Sequence, residues 1–319
     1  MSAENPLAIV LPGQGVQGHV PDLVNKLFFH KEPEVVRTVE GIYTETKHIL
    51  GVDLREISQA GSLEELSRPG ILEPAIMTAS IALLEVLREH YGITPDVVAG
   101  HSMGQVTASY GAGALDLEQA QLLLKGRGEF MAEAGAQNPG RMAAILGLTF
   151  DQVLTVCEKF GVVLANANSP TQNVISGEKD AVAEASKFVR DQAKRDKTRV
   201  RAVELEINVA AHSYFMQPAR ERMKSLLQRI TISDPLIPIV DNSSAERVTT
   251  KEGVAFGLIE SMTARVLWQL SIENMVAHGD RVIMEVGPGN VLSNTISRID
   301  PSVSVIHGLQ IINPGQKGE

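Results

Sequence analysis

The sequence is short of cysteine, of long apolar runs and of positive charge, and each shortage removes a class of protein. The single cysteine, Cys157, excludes an internal disulfide framework. It lies in an expected helix with no histidine or second cysteine at ligand spacing, so a structural role is expected for it. No apolar run approaches the roughly 20 residues needed to span a bilayer. The start, Met1-Ser2-Ala3-Glu4-Asn5-Pro6, lacks the basic region of a secretory leader. The expectation is a cytoplasmic protein with no membrane partner. Lysine and arginine number 29 against 38 aspartates and glutamates, a formal charge of −9. That balance argues against a nucleic-acid binder, because neutralising phosphates needs a basic face.

What is present is an ordinary globular composition, 44% hydrophobic, 21% charged and 4% aromatic, with no low-complexity tract or obvious repeat. At 319 residues the chain exceeds the roughly 250–300 at which one core stops growing, so two unequal lobes are expected. One segment departs from the acidic average. Between Lys187 and Arg201 seven basic residues face two acidic ones, and Lys187, Arg190 and Lys194 share one side of an expected helix.

Leu7–Leu11 is wholly apolar and stopped by Pro12-Gly13, the pattern of a strand buried on both faces of a parallel sheet. Asp96–Gly100 and Arg281–Val286 repeat it, and helical stretches such as Ala75–Tyr91 lie between. Alternating strands and helices imply a doubly wound α/β layer. From about residue 140 the elements shorten and follow the order β-α-β-β-α-β. The expected strands are Met142–Leu148, Val162–Ala167, Asn173–Ser176 and Val200–Ile207, with helices Asp151–Phe160 and Asp180–Arg195. That is the split βαβ, ferredoxin-like order. The expected architecture is a large α/β lobe over 1–139 and 208–319 with an inserted small lobe over 140–207. In the second part of the large lobe a helix is expected over Tyr214–Arg229 and a strand near Ile237–Val240. A cleft between the lobes is the expected ligand site.

Gly100-His101-Ser102-Met103-Gly104 fits G-x-S-x-G directly after an apolar strand and before the helix Gln105–Gly111. In that context the glycines permit a strained turn that lifts the serine oxygen to a helix N-terminus. The alternative is a serine that merely caps its helix. A serine nucleophile needs a base, most often histidine. Of the eight histidines, His212 falls where strand-like Glu204–Val209 gives way to a helix near Ser213, and it is the candidate. Arg127 sits on the apolar stripe marked by Leu123, Leu124, Phe130 and Met131, so its guanidinium faces inward. A buried arginine requires an anion. That anion is either an internal Asp or Glu or the carboxylate of a substrate. Gly126 and Gly128 would let another backbone approach closely.

Gly13-Gln14-Gly15-Val16-Gln17-Gly18 contains the G-x-G-x-x-G spacing of dinucleotide sites. No acidic residue ends a second strand about 20 positions on, and Pro21 is expected to interrupt the following helix. The better use of the loop is a backbone N–H aimed at Ser102, paired with the N–H of Met103 as an oxyanion hole.

With these residues placed, the chain resembles the malonyl-CoA:acyl-carrier-protein transacylases of fatty-acid synthesis and the free-standing acyltransferases of polyketide assembly. The matching motifs run in order over nearly the whole chain: Leu11–Gly15, Gly100–Gly104, Arg127–Met131, Met142–Ile145, Asn168–Pro170, His212-Ser213 and Glu285–Leu292. The resemblance implies Ser102 as nucleophile, His212 as base and Arg127 as clamp on the malonyl carboxylate. Gln14 and Met103 would donate the oxyanion-hole amides. It implies no metal, flavin or nicotinamide, and malonyl-CoA or a related acyl-CoA and an acyl carrier protein as partners. Carrier proteins are acidic, so Lys187, Arg190 and Lys194 are docking candidates by charge complementarity.

Three positions depart from the family pattern. Gln105 stands where Glu is common. Ala211, after Ala210, stands where malonyl-selective members often carry Phe, and the lost bulk would admit an α-substituted group such as methylmalonyl. Ser261 stands where a family glutamine helps orient the histidine, which a backbone carbonyl would make silent. The rival enzyme is an editing, thioesterase-like hydrolase of acyl carrier proteins, which tends to lose the arginine.

Overall fold

The computed structural model describes residues 6–313, so most of the amino-terminal stretch read above lies outside the described residues. Ten strands divide between two sheets. Those of the first are β1 (Leu7–Leu11), β2 (Val97–Gly100), β7 (Ile239–Val240), β8 (Arg247–Val248), β9 (Val282–Glu285) and β10 (Ser304–His307). The second holds β3 (Gly140–Leu146), β4 (Val163–Ser169), β5 (Gln172–Glu178) and β6 (Arg201–Glu204).

The first sheet runs β10-β9-β1-β2-β7-β8. All its pairs are parallel except β7 with β8. Its central strand explains its own composition. Leu7, Ile9 and Leu11 enter one apolar cluster, while Ala8 and Val10 enter the other. With both faces covered, alternation would place a polar group in a core, so the run is continuous. Helices Leu72–Tyr91 and Leu117–Gln137 supply the first cluster, and Trp268–Ala277 and Val291–Ile299 the second.

The second sheet is antiparallel, in the order β4-β5-β3-β6. With helices Phe150–Phe160 and Lys179–Arg195 it follows the expected β-α-β-β-α-β sequence. Ala143 and Ile145 of β3 pack under these helices with Val156, Cys157 and Val189. Met142 and Ala144, pointing the other way, line a cleft against the large sheet. Cys157 is buried on the helix side of the sheet, and burial pushes its thiol up to about 11, which keeps it inert.

Several boundaries differ from the sequence reading. The long helix begins at Leu72 rather than Ala75, because Pro74 falls in the first turn, where its missing N–H has no helical partner to lose. Pro21 likewise opens the helix Val20–Phe28, after a short 3₁₀ turn at Gln17–His19, and does not interrupt it. The strand expected over Val200–Ile207 ends at Glu204. After Leu205, whose N–H donates to Met142 O at 2.9 Å, the chain leaves the ladder. Leu205, Ile207 and Val209 instead pack onto the main core. The helix expected from Tyr214 starts as a 3₁₀ turn, Tyr214–Met216, and becomes α over Gln217–Leu227. Among the described residues no helix is long and apolar enough to cross a membrane.

Candidate active site

The elbow after β2 is built by exclusion. A Cβ on Gly100 would lie 1.9 Å from Gly104 O, and one on Gly104 would lie 2.4 Å from Leu11 O. Only glycine allows the turn to fold back on itself and onto β1. Between them Ser102 has φ 54, the left-handed region that an L-residue adopts only under constraint. Met103, not Ser102, is the residue before the helix Gly104–Gly111. The serine hydroxyl is therefore not spent as a cap.

The constraint on Ser102 comes from a residue the sequence did not single out. Asn242, just past β7, accepts the Ser102 N–H through Oδ1 at 2.8 Å and donates Nδ2 to Gly100 O at 2.5 Å. Gln105 braces this link from below, donating Nε2 to Asp241 Oδ2 at 2.7 Å and accepting the Asn242 N–H at 3.3 Å. An amide at 105 thus serves here by bonding both neighbours. Nothing periodic marks Asn242, which sits in the turn Asp241-Asn242-Ser243-Ser244.

His212 reaches the elbow from the opposite side. Its Nε2 lies 2.8 Å from Ser102 Oγ and its Nδ1 lies 3.1 Å from Ala264 O. A carbonyl only accepts, so the ring proton sits on Nδ1, leaving the Nε2 lone pair to accept the Ser102 O–H. The imidazole is buried, and burial, the Arg127 charge and His101 push it down to about 3, with the backbone of Ala264 and Ser261 acting in the opposite direction. It is therefore neutral at physiological pH. Ser261 directs its own hydroxyl to Leu258 O at 2.8 Å, so its side-chain identity leaves the histidine's support untouched.

Arg127 is 2% exposed and lies in the same place. Its Nη2 is 3.3 Å from Ser102 Oγ, and its Nη1 bonds Glu73 Oε1. Glu73 is the internal acid that the sequence left as one of two partners for this arginine. It also accepts Gln14 Nε2 at 2.7 Å. Gly128 is needed where its helix meets Gly70, since a Cβ would lie 2.9 Å from the Gly70 nitrogen. Gly126 faces the Leu226 side chain instead of another backbone.

Gln14, Ser102, Arg127, Ala211 and His212 all line one cleft of about 810 Å³, walled on the far side by Met142, Ala144 and Val174 of the small sheet. Met103 does not line it; its side chain is fully buried. The backbone N–H groups of Gln14 and Met103 meet no acceptor among the described residues. At the cleft wall His101 bonds Asn168 Oδ1 through Nε2 at 2.8 Å and stands edge-on to Trp268. The basic helix lies apart from these residues. Lys187 and Lys194 are exposed, Lys187 is paired with Asp191 at 2.7 Å, and Arg190 is half-buried with Nη1 on Ala202 O at 3.3 Å.

Comparison with known proteins agrees over nearly the whole length. The acyl transferase domain model matches residues 31–312. The malonyl CoA-acyl carrier protein transacylase of Bacillus subtilis (strain 168) is 35% identical over 305 residues, 94% of this chain and 92% of that one. Its counterpart in Escherichia coli (strain K12) is 35% identical over 298 residues, 92% of each chain. The crystal structure of the malonyl-CoA:acyl carrier protein transacylase of Xanthomonas oryzae pv. oryzae superposes with TM-score 0.86 at 33% identity, covering 96% of this chain and 95% of that one. A malonyl-transacylase solved in complex with its type II PKS acyl-carrier protein gives TM-score 0.87 at 31% identity, covering 98% of this chain and all of that one. The α/β architecture, the elbow serine with its histidine and the match along the chain together place it, and it belongs to the acyl transferase domain family, among the malonyl-CoA:acyl-carrier-protein transacylases.

Proposed function

We propose that this chain transfers a malonyl group from coenzyme A to the phosphopantetheine thiol of an acyl carrier protein, through an acyl ester on Ser102. The observation that carries the reading is the meeting of three groups at one oxygen: Ser102 Oγ lies 2.8 Å from His212 Nε2 and 3.3 Å from Arg127 Nη2. The first contact makes a nucleophile, and the second puts a cation where a short acyl chain with a terminal carboxylate would end.

In the first half-reaction the Ser102 O–H gives its proton to His212 Nε2 while Oγ bonds the thioester carbon. The negative charge that develops on the carbonyl oxygen is taken by the Gln14 and Met103 amides, each such donor being worth roughly 2.7–4 kcal/mol in comparable sites. The carbon–sulfur bond breaks, and coenzyme A leaves with the proton from His212. In the second half the carrier thiol gives its proton to His212, its sulfur bonds the ester carbon, and Ser102 recovers the proton as it leaves.

Ala211 on the wall is the residue through which acyl size would be selected, leaving room for methylmalonyl as well as malonyl. The exposed Lys187 and Lys194, with Arg190 between them, form the candidate docking face for an acidic carrier. A coenzyme A donor fits the cytoplasmic location expected from the sequence. The editing hydrolase has no observation in its favour, since the arginine it would lack is present in the cleft.

The test is a second-step assay. Isolated malonyl-enzyme is mixed with phosphopantetheinylated carrier protein, and both masses are followed. The proposal expects the adduct to move to the carrier; release of free malonate at the same rate with and without carrier contradicts it.

A further inference from the structure

Arg127 already holds an anion. Its Nη1 bonds Glu73 Oε1, the same oxygen that accepts Gln14 Nε2 at 2.7 Å. Both charged residues are 2% exposed, and both line the cleft that contains Ser102. The pair is incompletely bonded. Glu73 Oε2 and Arg127 Nε are buried with no hydrogen-bond partner among the described residues, so one carboxylate oxygen serves two donors and the other serves none.

Burial raises the Glu73 carboxyl above the usual carboxylate range, against the pull of Arg127 and the Gln14 bond. Arg127 is the charge acting on it; Gln14, on the loop after β1, is neutral. The other titratable residues on the cleft wall, Arg68, Glu206, His101 and His212, do not bond to it. As it stands the pair is neutral. A substrate carboxylate arriving at the guanidinium makes two anions on one buried cation, and two carboxylates sharing such a site do not both stay ionised without a large penalty.

We propose that Glu73 sets the acyl specificity of this site by competing with the substrate carboxylate for Arg127, so that a malonyl group binds only as Glu73 takes up one proton from solvent. This rests on the reading of Arg127 as the carboxylate clamp. The proton goes to the unpartnered Oε2, and the guanidinium is released to the substrate. An acetyl group, with no carboxylate, does not compete and needs no proton.

Acyl-serine formation from malonyl-CoA and from acetyl-CoA, measured from pH 5.5 to 8.5, tests it. For the wild type, kcat/KM with malonyl-CoA falls by up to about tenfold per pH unit above the Glu73 titration, as one-proton linkage requires, while the acetyl profile does not follow. Glu73→Gln, which keeps the shape and removes the charge, flattens the malonyl profile and raises the malonyl-to-acetyl ratio at pH 8 by about tenfold or more. Parallel malonyl and acetyl profiles in the wild type, or an unchanged ratio and profile in Glu73→Gln, overturn the proposal. Should that variant not fold, calorimetry of Ser102→Ala in two buffers of different ionisation heat decides. About one proton taken up per malonyl-CoA bound at pH 8, and none per acetyl-CoA, supports it; equal uptake overturns it. An Arg127→Ala variant with the wild-type ratio overturns the clamp reading and this inference with it. Loss of malonyl preference in Arg127→Ala, with Glu73→Gln unchanged from wild type, overturns the inference alone.

Discussion

Ser102 and His212 share an unusual backbone: both are left-handed, with φ 54 and φ 57, and across that geometry Oγ and Nε2 stand 2.8 Å apart. Left-handed backbone in a residue with a Cβ persists only where the surroundings impose it. Here Asn242 imposes it on Ser102, and the Ala264 carbonyl orients His212. The pair is therefore held ready before substrate arrives, and the cost of its conformation is met by the fold.

Removing His212, the proposed base, should slow both half-reactions without changing substrate affinity. His212→Ala is expected to lower the rate of acyl-serine formation by about 10²–10⁴-fold, the usual contribution of a positioned base, with little change in KM. Rapid-quench measurement of the adduct reads this directly, and a loss below tenfold would speak against the assignment.

The acid side of the pH profile follows from the state of the imidazole. Because burial and Arg127 hold His212 down at about 3, the free enzyme keeps a neutral base well below the usual histidine range. Acylation by acetyl-CoA, which does not involve the Glu73 proton, should then show no inflection near pH 6.5. For stability the sign runs the other way from a gained ion pair. The unfolded chain protonates this histidine below about 6.5 and the folded one does not, so stability is lost as pH falls from that value toward about 3. Urea melts of wild type and His212→Gln between pH 4 and 7 should differ in slope in that direction.

Asn242→Leu tests the brace under the elbow. It leaves the Ser102 N–H without its acceptor in a part-buried site, at a cost of roughly 1–3 kcal/mol. Both thermal stability and the acylation rate should fall. A variant with unchanged stability and rate would show that the elbow holds itself.

Ala211→Phe narrows the cleft next to His212. One added or missing methyl in a fitted pocket is worth about 10–200-fold in selectivity, so discrimination of malonyl-CoA over methylmalonyl-CoA should rise by tenfold or more. Competition of the two thioesters for Ser102, resolved by adduct mass, gives the ratio; an unchanged ratio places acyl selection elsewhere.

Charge reversal at the exposed Lys187 and Lys194 should raise the carrier-protein KM severalfold, more so at low salt, while leaving malonyl-CoA acylation unchanged. An unaltered KM removes this helix as the docking face.

How much of this was legible in the chain differs by residue, for physical reasons. Strand, turn and helix around Gly100–Gly104 single out Ser102 as the candidate nucleophile because all three local signals coincide. The inward position of Arg127 was readable from its apolar neighbours. Its partner was not, because Glu73 stands 54 positions away and no local pattern ties it to Arg127. The support of His212 was invisible in another way: a backbone carbonyl, that of Ala264, has no side-chain signature. Asn242 follows a two-residue strand, Ile239–Val240, too short to carry a pattern. The four-stranded sheet was legible in order, but its last strand was overextended, since Leu205, Ile207 and Val209 alternate like a strand while serving the core as a loop.

The most direct test is the intact mass of the protein after brief exposure, in parallel, to malonyl-CoA, methylmalonyl-CoA and acetyl-CoA, with Ser102→Ala and Arg127→Ala alongside. The expected result is a malonyl or methylmalonyl adduct that vanishes in Ser102→Ala and weakens in Arg127→Ala. An adduct from acetyl-CoA alone, or one that persists without Ser102, would contradict it.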